Sequence, residues 1–452
     1  MRRVLIGAVI AICCGCSLKL QEANIELPSE YLYGDGFFTG NTPISERWWE
    51  SFEDPALNDL ICTALAQNRD LAAAASAVEA SRHYLKVARA EFLPSISMEA
   101  EAEVVHEVGV TEQEYTLAPT LDWEISLFGE LRGTSQAASA ALLEQEWNFR
   151  GVWLSLTSQV ATSYFTLLQY QRALYIATRS FELRQQATAL VDSMFTYGMK
   201  GGIDLMQAKS LVYSAKVEMQ RYERAVATTS LSLSTLLGQT PQIADWQDSG
   251  RALIDDELPF DIPLGLPSQL LERRPDVMKS FFAMSQAAAK VGISRAQRYP
   301  SLSLTGAGGV YATSLKGLTS SDPLLWSATG EILAPIFSWG ALKRKEMIAR
   351  DNYTSAVKQY EQSILEALED VESALVAINT YSDQTAASTA LVLANSQIAK
   401  STSALYRSGL GDYLSVIDAE RELYSSQISL IELVAQQYIN YVDLFKALGG
   451  GW

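Results

Sequence analysis

Histidine and cysteine are almost missing from this chain. Its 452 residues include two histidines and four cysteines, and three of the cysteines fall within the first sixteen positions. His83 and His106 stand on a helical and a strand-like stretch with no second ligand or nucleophile at useful spacing. Both read as surface or packing residues, which leaves metal centres and histidine-based acid–base catalysis without their usual carriers. The G-x-S-x-G elbow, the phosphate-binding loop of nucleotidases and the H-E-x-x-H helix are also absent. Gly306-Ala307-Gly308-Gly309 lies in a strand pattern that no helix follows, so it is no dinucleotide loop. The nine methionines are scattered and do not indicate metal transport. Lys and Arg number 35 against 52 Asp and Glu, a net charge of -17 that opposes nucleic acid as a partner and favours cations. Beyond the first twenty positions no apolar run reaches the length of a transmembrane helix. The expectation is a protein with no catalytic residue, no metal and no cofactor.

What is present is alternation. From Ser95 to Glu103 the even positions are apolar (Ile96, Met98, Ala100, Ala102) and the odd ones polar (Ser95, Ser97, Glu99, Glu101, Glu103). From Glu114 to Leu127 the parity reverses, with Tyr115, Leu117, Leu121, Trp123, Ile125 and Leu127 facing away from Glu114, Thr116, Thr120, Asp122, Glu124 and Ser126. A connection around Val108 to Gln113 contains Gly109. A two-residue period means a strand, and a face free of charge over about ten residues suits a tilted strand crossing a bilayer. A charge at mid-depth on the lipid side costs about 2 to 4 kcal/mol, so the clean split is informative. A soluble amphipathic hairpin is the plainer alternative.

The unit recurs. Arg295-Ala296 and Pro300-Ser301-Leu302-Ser303-Leu304 repeat Arg89-Ala90 and Pro94-Ser95-Ile96-Ser97-Met98 without a gap, and Trp326, Ala328, Gly330, Ile332 and Ile336 alternate with Ser327, Thr329 and Glu331. Each half of a duplicated chain thus supplies a strand pair. Four strands do not close a barrel, and open edges are not tolerated in lipid, so copies of the chain must share one.

Arg2 and Arg3, the apolar stretch Val4 to Ile12 and the small residues after it form a targeting segment. It ends in Cys13-Cys14-Gly15-Cys16-Ser17, which resembles a bacterial lipobox with Cys16 lipidated; a Cys13/Cys16 redox or metal pair is the competing reading. With Cys16 as the mature terminus only Cys62 stays free, and no intrachain disulfide is available. After an extended lead from Leu18 to about Thr42, the Trp48-Trp49-Glu50-Ser51-Phe52 and Asp54-Pro55 segments open a helix over Ala56 to Glu91, ended by Pro94. A helix of roughly 65 residues follows, reaching about Tyr197 and spanning about 100 Å if unbroken. Gly198, Gly201 and Gly202 break it before a second helix from Ile203 to about Leu237. Pro259, Pro263 and Pro267 mark a connector. The second half repeats the plan with a helix from Pro275 to Gln297, a long helix from about Leu342 to Tyr406, a break at Gly409-Leu410-Gly411 and a last helix from Tyr413 to Leu448. The breaks align without gaps: Gly198 with Gly409, Asp204 with Ser415, Gln207 with Asp418, Ala208 with Ala419.

The segments Trp48 to Asp54, Leu127 to Arg132, Leu266 to Val277 and the terminal Phe445-Lys446-Ala447-Leu448-Gly449-Gly450-Gly451-Trp452 resemble the lipoprotein branch of the TolC-like outer membrane efflux family, also known as NodT or OprM-like factors. The resemblance implies a mixed α and β membrane protein, a homotrimer with a twelve-stranded outer-membrane barrel continued by an α-helical coiled-coil tunnel across the periplasm. It implies the exit duct of a tripartite efflux system for drugs or toxic compounds, opened by a periplasmic adaptor and driven by an inner-membrane pump. The exit duct of a type I protein secretion system is an alternative. A diffusion porin or stalked adhesin is opposed by the few strands and long helices.

On this basis the chain divides into a signal peptide (1–15), a lipid-anchored extension with equatorial residues (16–55), a first repeat (56–265, strand pair 95–127, helical hairpin 131–237) and a second (266–452, strand pair 301–337, hairpin 342–448). The resemblance also implies a periplasmic gate at the helix breaks, where aspartate rings with tyrosine and arginine links hold the tunnel shut. Tyr406 and Asp418 match that pattern, whereas Ser415 departs from the inner aspartate; Asp204 or Asp412 is the candidate to replace it. The plain reading of Asp204 and Asp412 is a favourable charge near a helix N-terminus. Gly198, Gly201, Gly202, Gly409 and Gly411 form the turns and, by resemblance, the adaptor-docking tips.

Overall fold

The alternating stretches form four strands: β1 (Ser95–Glu107), β2 (Val110–Ile125), β3 (Ser301–Ala312) and β4 (Leu324–Leu333). They make one antiparallel sheet in the order β1-β2-β3-β4, so the two halves of the sequence meet along β2 and β3. This computed structural model describes residues 20–25, 27–34, 45–199, 201–242, 264, 267–317 and 324–451; the leader, Cys16 and the connector prolines Pro259 and Pro263 lie outside them. The first connection is tighter than the sequence suggested. Glu107 pairs with Val110, leaving only Val108 (φ 48°) and Gly109 (φ 81°) in the turn. Two successive left-handed residues match the twist of the flanking strands, and Glu112 and Gln113 continue the ladder opposite Val105 and Val104.

Among the described residues the strands alternate along the chain with eight α-helices: α1 (Pro55–Gln67), α2 (Arg69–Ala90), α3 (Glu130–Thr196), α4 (Gly202–Leu236), the single turn α5 (Leu270–Arg273), α6 (Pro275–Ala296), α7 (Ala341–Arg407) and α8 (Tyr413–Ala447). Their lengths carry the duplication. Both α2 and α6 have 22 residues, α3 and α7 have 67, and α4 and α8 have 35. The helix expected over Ala56 to Glu91 is in fact two. Asn68 divides it, because its extended backbone ends α1 while its side-chain oxygen accepts from Leu71 N at 3.0 Å and its amide donates to Leu236 O at 2.9 Å. A short amide side chain competes with the helical backbone for those bonds.

The chain folds into two compact units, and each draws on both halves of the sequence. One comprises the described residues up to 25, with 75–148 and 276–363, and contains the sheet. Its helices pack around Val291, Ala349, Tyr353 and Val357, where the lead contributes Leu20 and Ala23. Tyr353 donates to Gln21 O at 2.6 Å. Buried Glu346 accepts from Arg298 at 2.5 Å and from Arg350 at 2.9 Å, and those two guanidinium groups hold its carboxyl below the usual range against the opposing effect of desolvation.

The other unit comprises the described residues within 26–74, 149–275 and 364–452. The Trp-Trp-x-x-Phe segment is its core: Trp48, Trp49 and Phe52 are fully enclosed, with Trp48 stacked on Phe445 at 5.2 Å and Phe52 set 5.1 Å from Phe165. Asp54 caps α1 by accepting from Ala56 N at 2.9 Å and Leu57 N at 3.2 Å, and it takes a third bond at 2.8 Å from the Tyr164 hydroxyl. Arg274 explains why the Leu-Glu-Arg-Arg-Pro and C-terminal segments occur together. Its guanidinium donates to Asp370 at 2.7 Å and to Ala447 O at 3.1 Å, and a side chain on Gly449 would lie 2.9 Å from the Arg273 backbone.

Candidate functional site

The sheet register extends the charge split across all four strands. One face pairs Ile96 with Leu121, Ala100 with Leu117, Trp123 with Leu304, Leu302 with Ile332 and Gly308 with Trp326. The opposite face holds Glu99, Glu101, Glu103, Glu112, Glu114, Asp122, Glu124 and Glu331, and none of the four described strands contains Lys or Arg. Glu103 even stands directly across from Glu114. Like charges directly opposed destabilise a sheet unless water or cations screen them. Such a surface is built for apolar contact on one side and a wet, cation-attracting space on the other. The outer edges, β1 and β4, have no strand partner among the described residues.

The two helix breaks end in the same motif. Gly198 (φ 72°) and Gly409 (φ 75°) adopt the left-handed conformation that closes a helix, with Met199 N bonded to Met194 O at 2.9 Å and Leu410 N to Leu405 O at 3.0 Å. Gly201 is the extended N-cap of α4, Gly202 its first residue, and Gly411 packs closely enough that a side chain would meet Leu405 at 3.3 Å. The breaks also meet each other. Val191, Leu205, Ala208 and Leu211 from the first hairpin form one buried cluster with Tyr406, Tyr413, Val416 and Ile417 from the second.

Three acids and one tyrosine were expected here, and the structure gives them different settings. Tyr406 is buried with its ring 5.1 Å from Tyr413. Asp204 is half-buried beside both phenols; together with their desolvation, its charge raises the Tyr406 pKa, and burial pushes Tyr413 up to about 12. Asp412 caps α8, accepting from Ser415 N at 2.7 Å, a bond that holds its carboxyl below the usual range. Asp418, like Ser415, is exposed on α8. Tyr406 and Asp204 therefore come together, Asp412 is occupied as a cap, and Asp418 is exposed.

One feature of this region was not foreseen. Arg172, Arg179, Arg184, Lys400 and Arg407 line a groove of about 700 Å³ with Glu420 as its carboxylate. Arg184 is nine-tenths buried and reaches Leu211 O at 3.5 Å, while burial raises the Glu420 pKa. The available signal was the seven-residue spacing of Ile176, Leu183 and Leu190, interleaved with Arg172 and Arg179.

The three cysteines of the leader lie outside the described residues; Cys62 is exposed and unbridged. His106 is hydrogen-bonded to Thr111 across the first hairpin at 2.8 Å, in keeping with a packing role. No group of metal-binding side chains occurs among the described residues, and none of the described helices is long and apolar enough to cross a membrane.

Comparison with known proteins places this architecture. Residues 60–239 and 266–450 match the outer membrane efflux protein family. The probable efflux pump outer membrane protein TtgC of Pseudomonas putida is 31% identical over 97% of this chain and 93% of its own length. The probable outer membrane lipoprotein SilC of Salmonella typhimurium is 29% identical over 98% and 97%. A solved structure of CusC, described in terms of transmembrane channel formation, superimposes with a TM-score of 0.85 at 27% identity, covering 97% of this chain and all of that one.

Proposed function

Because the chain belongs to the outer membrane efflux protein family, we propose that it is the outer-membrane exit duct of a tripartite efflux system, exporting small molecules such as drugs or toxic compounds. The observation that carries this reading is the sheet, with lipid-compatible side chains on one face, only acids among the charges of the other, and two open edges. Joining β4 of one copy to β1 of the next satisfies those edges, and three copies give a closed barrel of twelve strands with the carboxylates lining water. Cys16, lipidated, would tether each chain to the outer membrane, as the name of SilC describes for that protein.

The duct binds no cofactor and catalyses no reaction in this account. Gating falls to the helix breaks. Three copies of Asp204 and Asp418 around an axis repel anions and hold cations, and the buried cluster of Val191, Leu205, Ala208 and Leu211 with Tyr406, Tyr413, Val416 and Ile417 ties the two hairpin ends together. A periplasmic adaptor that binds the open form better than the closed one would shift the population toward open, with energy from an inner-membrane pump. Native mass spectrometry of the detergent-solubilised protein tests the assembly: a trimer is expected, and a stable monomer would refute the shared barrel.

A further inference from the structure

The strand ends that continue into helices all lie at one end of the sheet, because Ser95 pairs with Asp122, Ile125 with Leu302 and Ser301 with Leu333. At this end, where β4 gives way to α7, two local rules are broken side by side. Trp339 adopts a left-handed backbone (φ 51°) that a bulky L-residue avoids, and it is 86% exposed. Its ring lies 4.8 Å from Phe337, itself 72% exposed, and Ile336 before it is 96% exposed. Immediately beyond, the first turns of the 67-residue α7 carry Lys343, Arg344 and Lys345, all exposed, where the helix dipole disfavours cations. None of these three forms an ion pair among the described residues, and the neighbouring carboxylate, Glu346, is already shared by Arg298 and Arg350. The corresponding turn of α3 has Glu130 and a single cation, Arg132, so the repeat does not require the feature.

Strain and misplaced charge in adjacent turns persist where a partner compensates both. We infer that Ile336, Phe337 and Trp339, with Lys343, Arg344 and Lys345, form an interfacial anchor that seats the helix-bearing end of the barrel in a surface of anionic phospholipid. The aromatic rings lie at the depth of the headgroups and glycerol carbonyls, continuous with the apolar sheet face that ends at Ile332, and the three cations meet lipid phosphates. The inference rests on the barrel reading above and adds to it the lipid class and the residues that set the depth of insertion.

Full-length protein reconstituted into vesicles of phosphatidylcholine, alone or mixed with phosphatidylglycerol, tests it by tryptophan quenching with lipids brominated near the carbonyls or near the acyl ends. Trp339→Phe should lose a component quenched from carbonyl depth and keep the acyl-end quenching of the remaining tryptophans. A combined Lys343→Gln, Arg344→Gln, Lys345→Gln variant should show wild-type quenching in phosphatidylcholine but lose the increase that phosphatidylglycerol brings. Unchanged carbonyl-depth quenching in Trp339→Phe, with normal channel currents from the same vesicles, would overturn the anchor alone. A Trp339 signal shielded from both brominated lipids but blue-shifted on assembly in detergent would overturn it in favour of cover by a neighbouring copy. Failure of the wild type to insert would overturn the barrel reading and the anchor with it.

Discussion

Replacing Asp54 by alanine removes three hydrogen bonds at once from a site that is only 2% exposed. Two of them cap α1 at Ala56 and Leu57, and loss of such a cap costs about 1 kcal/mol. The third comes from the buried Tyr164 hydroxyl, and a hydrogen bond to a charged carboxylate contributes about 1.5 to 3 kcal/mol. The expected loss is therefore about 2 to 4 kcal/mol of local stability. Unfolding of a large membrane assembly is often irreversible, so a local reading is preferable to a melting temperature. Hydrogen exchange of peptides covering 54–67 supplies it, and the loss corresponds to roughly 30- to 700-fold faster exchange in the cap and first turn of α1. Asp54→Asn keeps an acceptor oxygen and should remain within about tenfold of wild type. Tyr164→Phe combined with Asp54→Ala should cost less than the sum of the single changes, because each breaks the same Tyr164–Asp54 bond. Exchange in Asp54→Ala within about threefold of wild type would refute the reasoning.

Gly238 has a φ of 71°, and a side chain there would lie 2.2 Å from the Gln67 carbonyl oxygen, so Gly238→Ala should destabilise by about 2 kcal/mol or more. Gly201→Ala, where φ is −81° and nothing lies within 4 Å, should be nearly neutral; equal protease resistance of the two variants would contradict both assignments. Glu420 gives a pH signature. Burial raises its folded pKa above the ordinary value of 4.5, opposed by Arg184 on α3, with Tyr413 nearby on its own helix. The folded state then holds the proton more tightly than the unfolded one, so stability is full below about 4.5 and falls as pH rises through the raised value. Glu420→Gln should abolish that fall, seen as helix-tip protection, after correction for the base-catalysed intrinsic exchange rate, that no longer declines between acid and neutral pH; an unchanged pH dependence of protection would exclude Glu420 as its source.

The strands were legible because membrane and lumen impose opposite chemistry on alternate residues, and Glu99, Glu101 and Glu103 against Ile96, Met98 and Ala100 display it without ambiguity. The duplication was legible too, since gapless echoes such as Gly198 and Gly409 reflect identical helix-closing geometry. Pairing of β2 with β3 was not readable, because register between distant segments depends on packing that alternation alone does not specify. Asn68 escaped notice within an alanine-rich helical pattern, as its effect comes from a bond to Leu236 far along the chain. Of the candidate gate, Tyr406 and Asp204 lie close together, which the alignment of Asp204 with Ser415 did not indicate, while Asp412 is used as a cap. Arg184 and Glu420 were invisible, because lone charges on a helix reveal their burial only once the facing helix is known. The left-handed backbone of Trp339 was not readable either, because a bulky L-residue ordinarily avoids that conformation.

The central claim, an acid-lined duct closed at its helix tips, is tested most directly by single-channel recording of the purified protein in a planar bilayer beside Asp204→Ala and Asp418→Ala. The account predicts a small, cation-preferring conductance in the wild type that rises when either carboxylate is removed. Large currents of the same size in all three proteins, or a preference for anions, would contradict it.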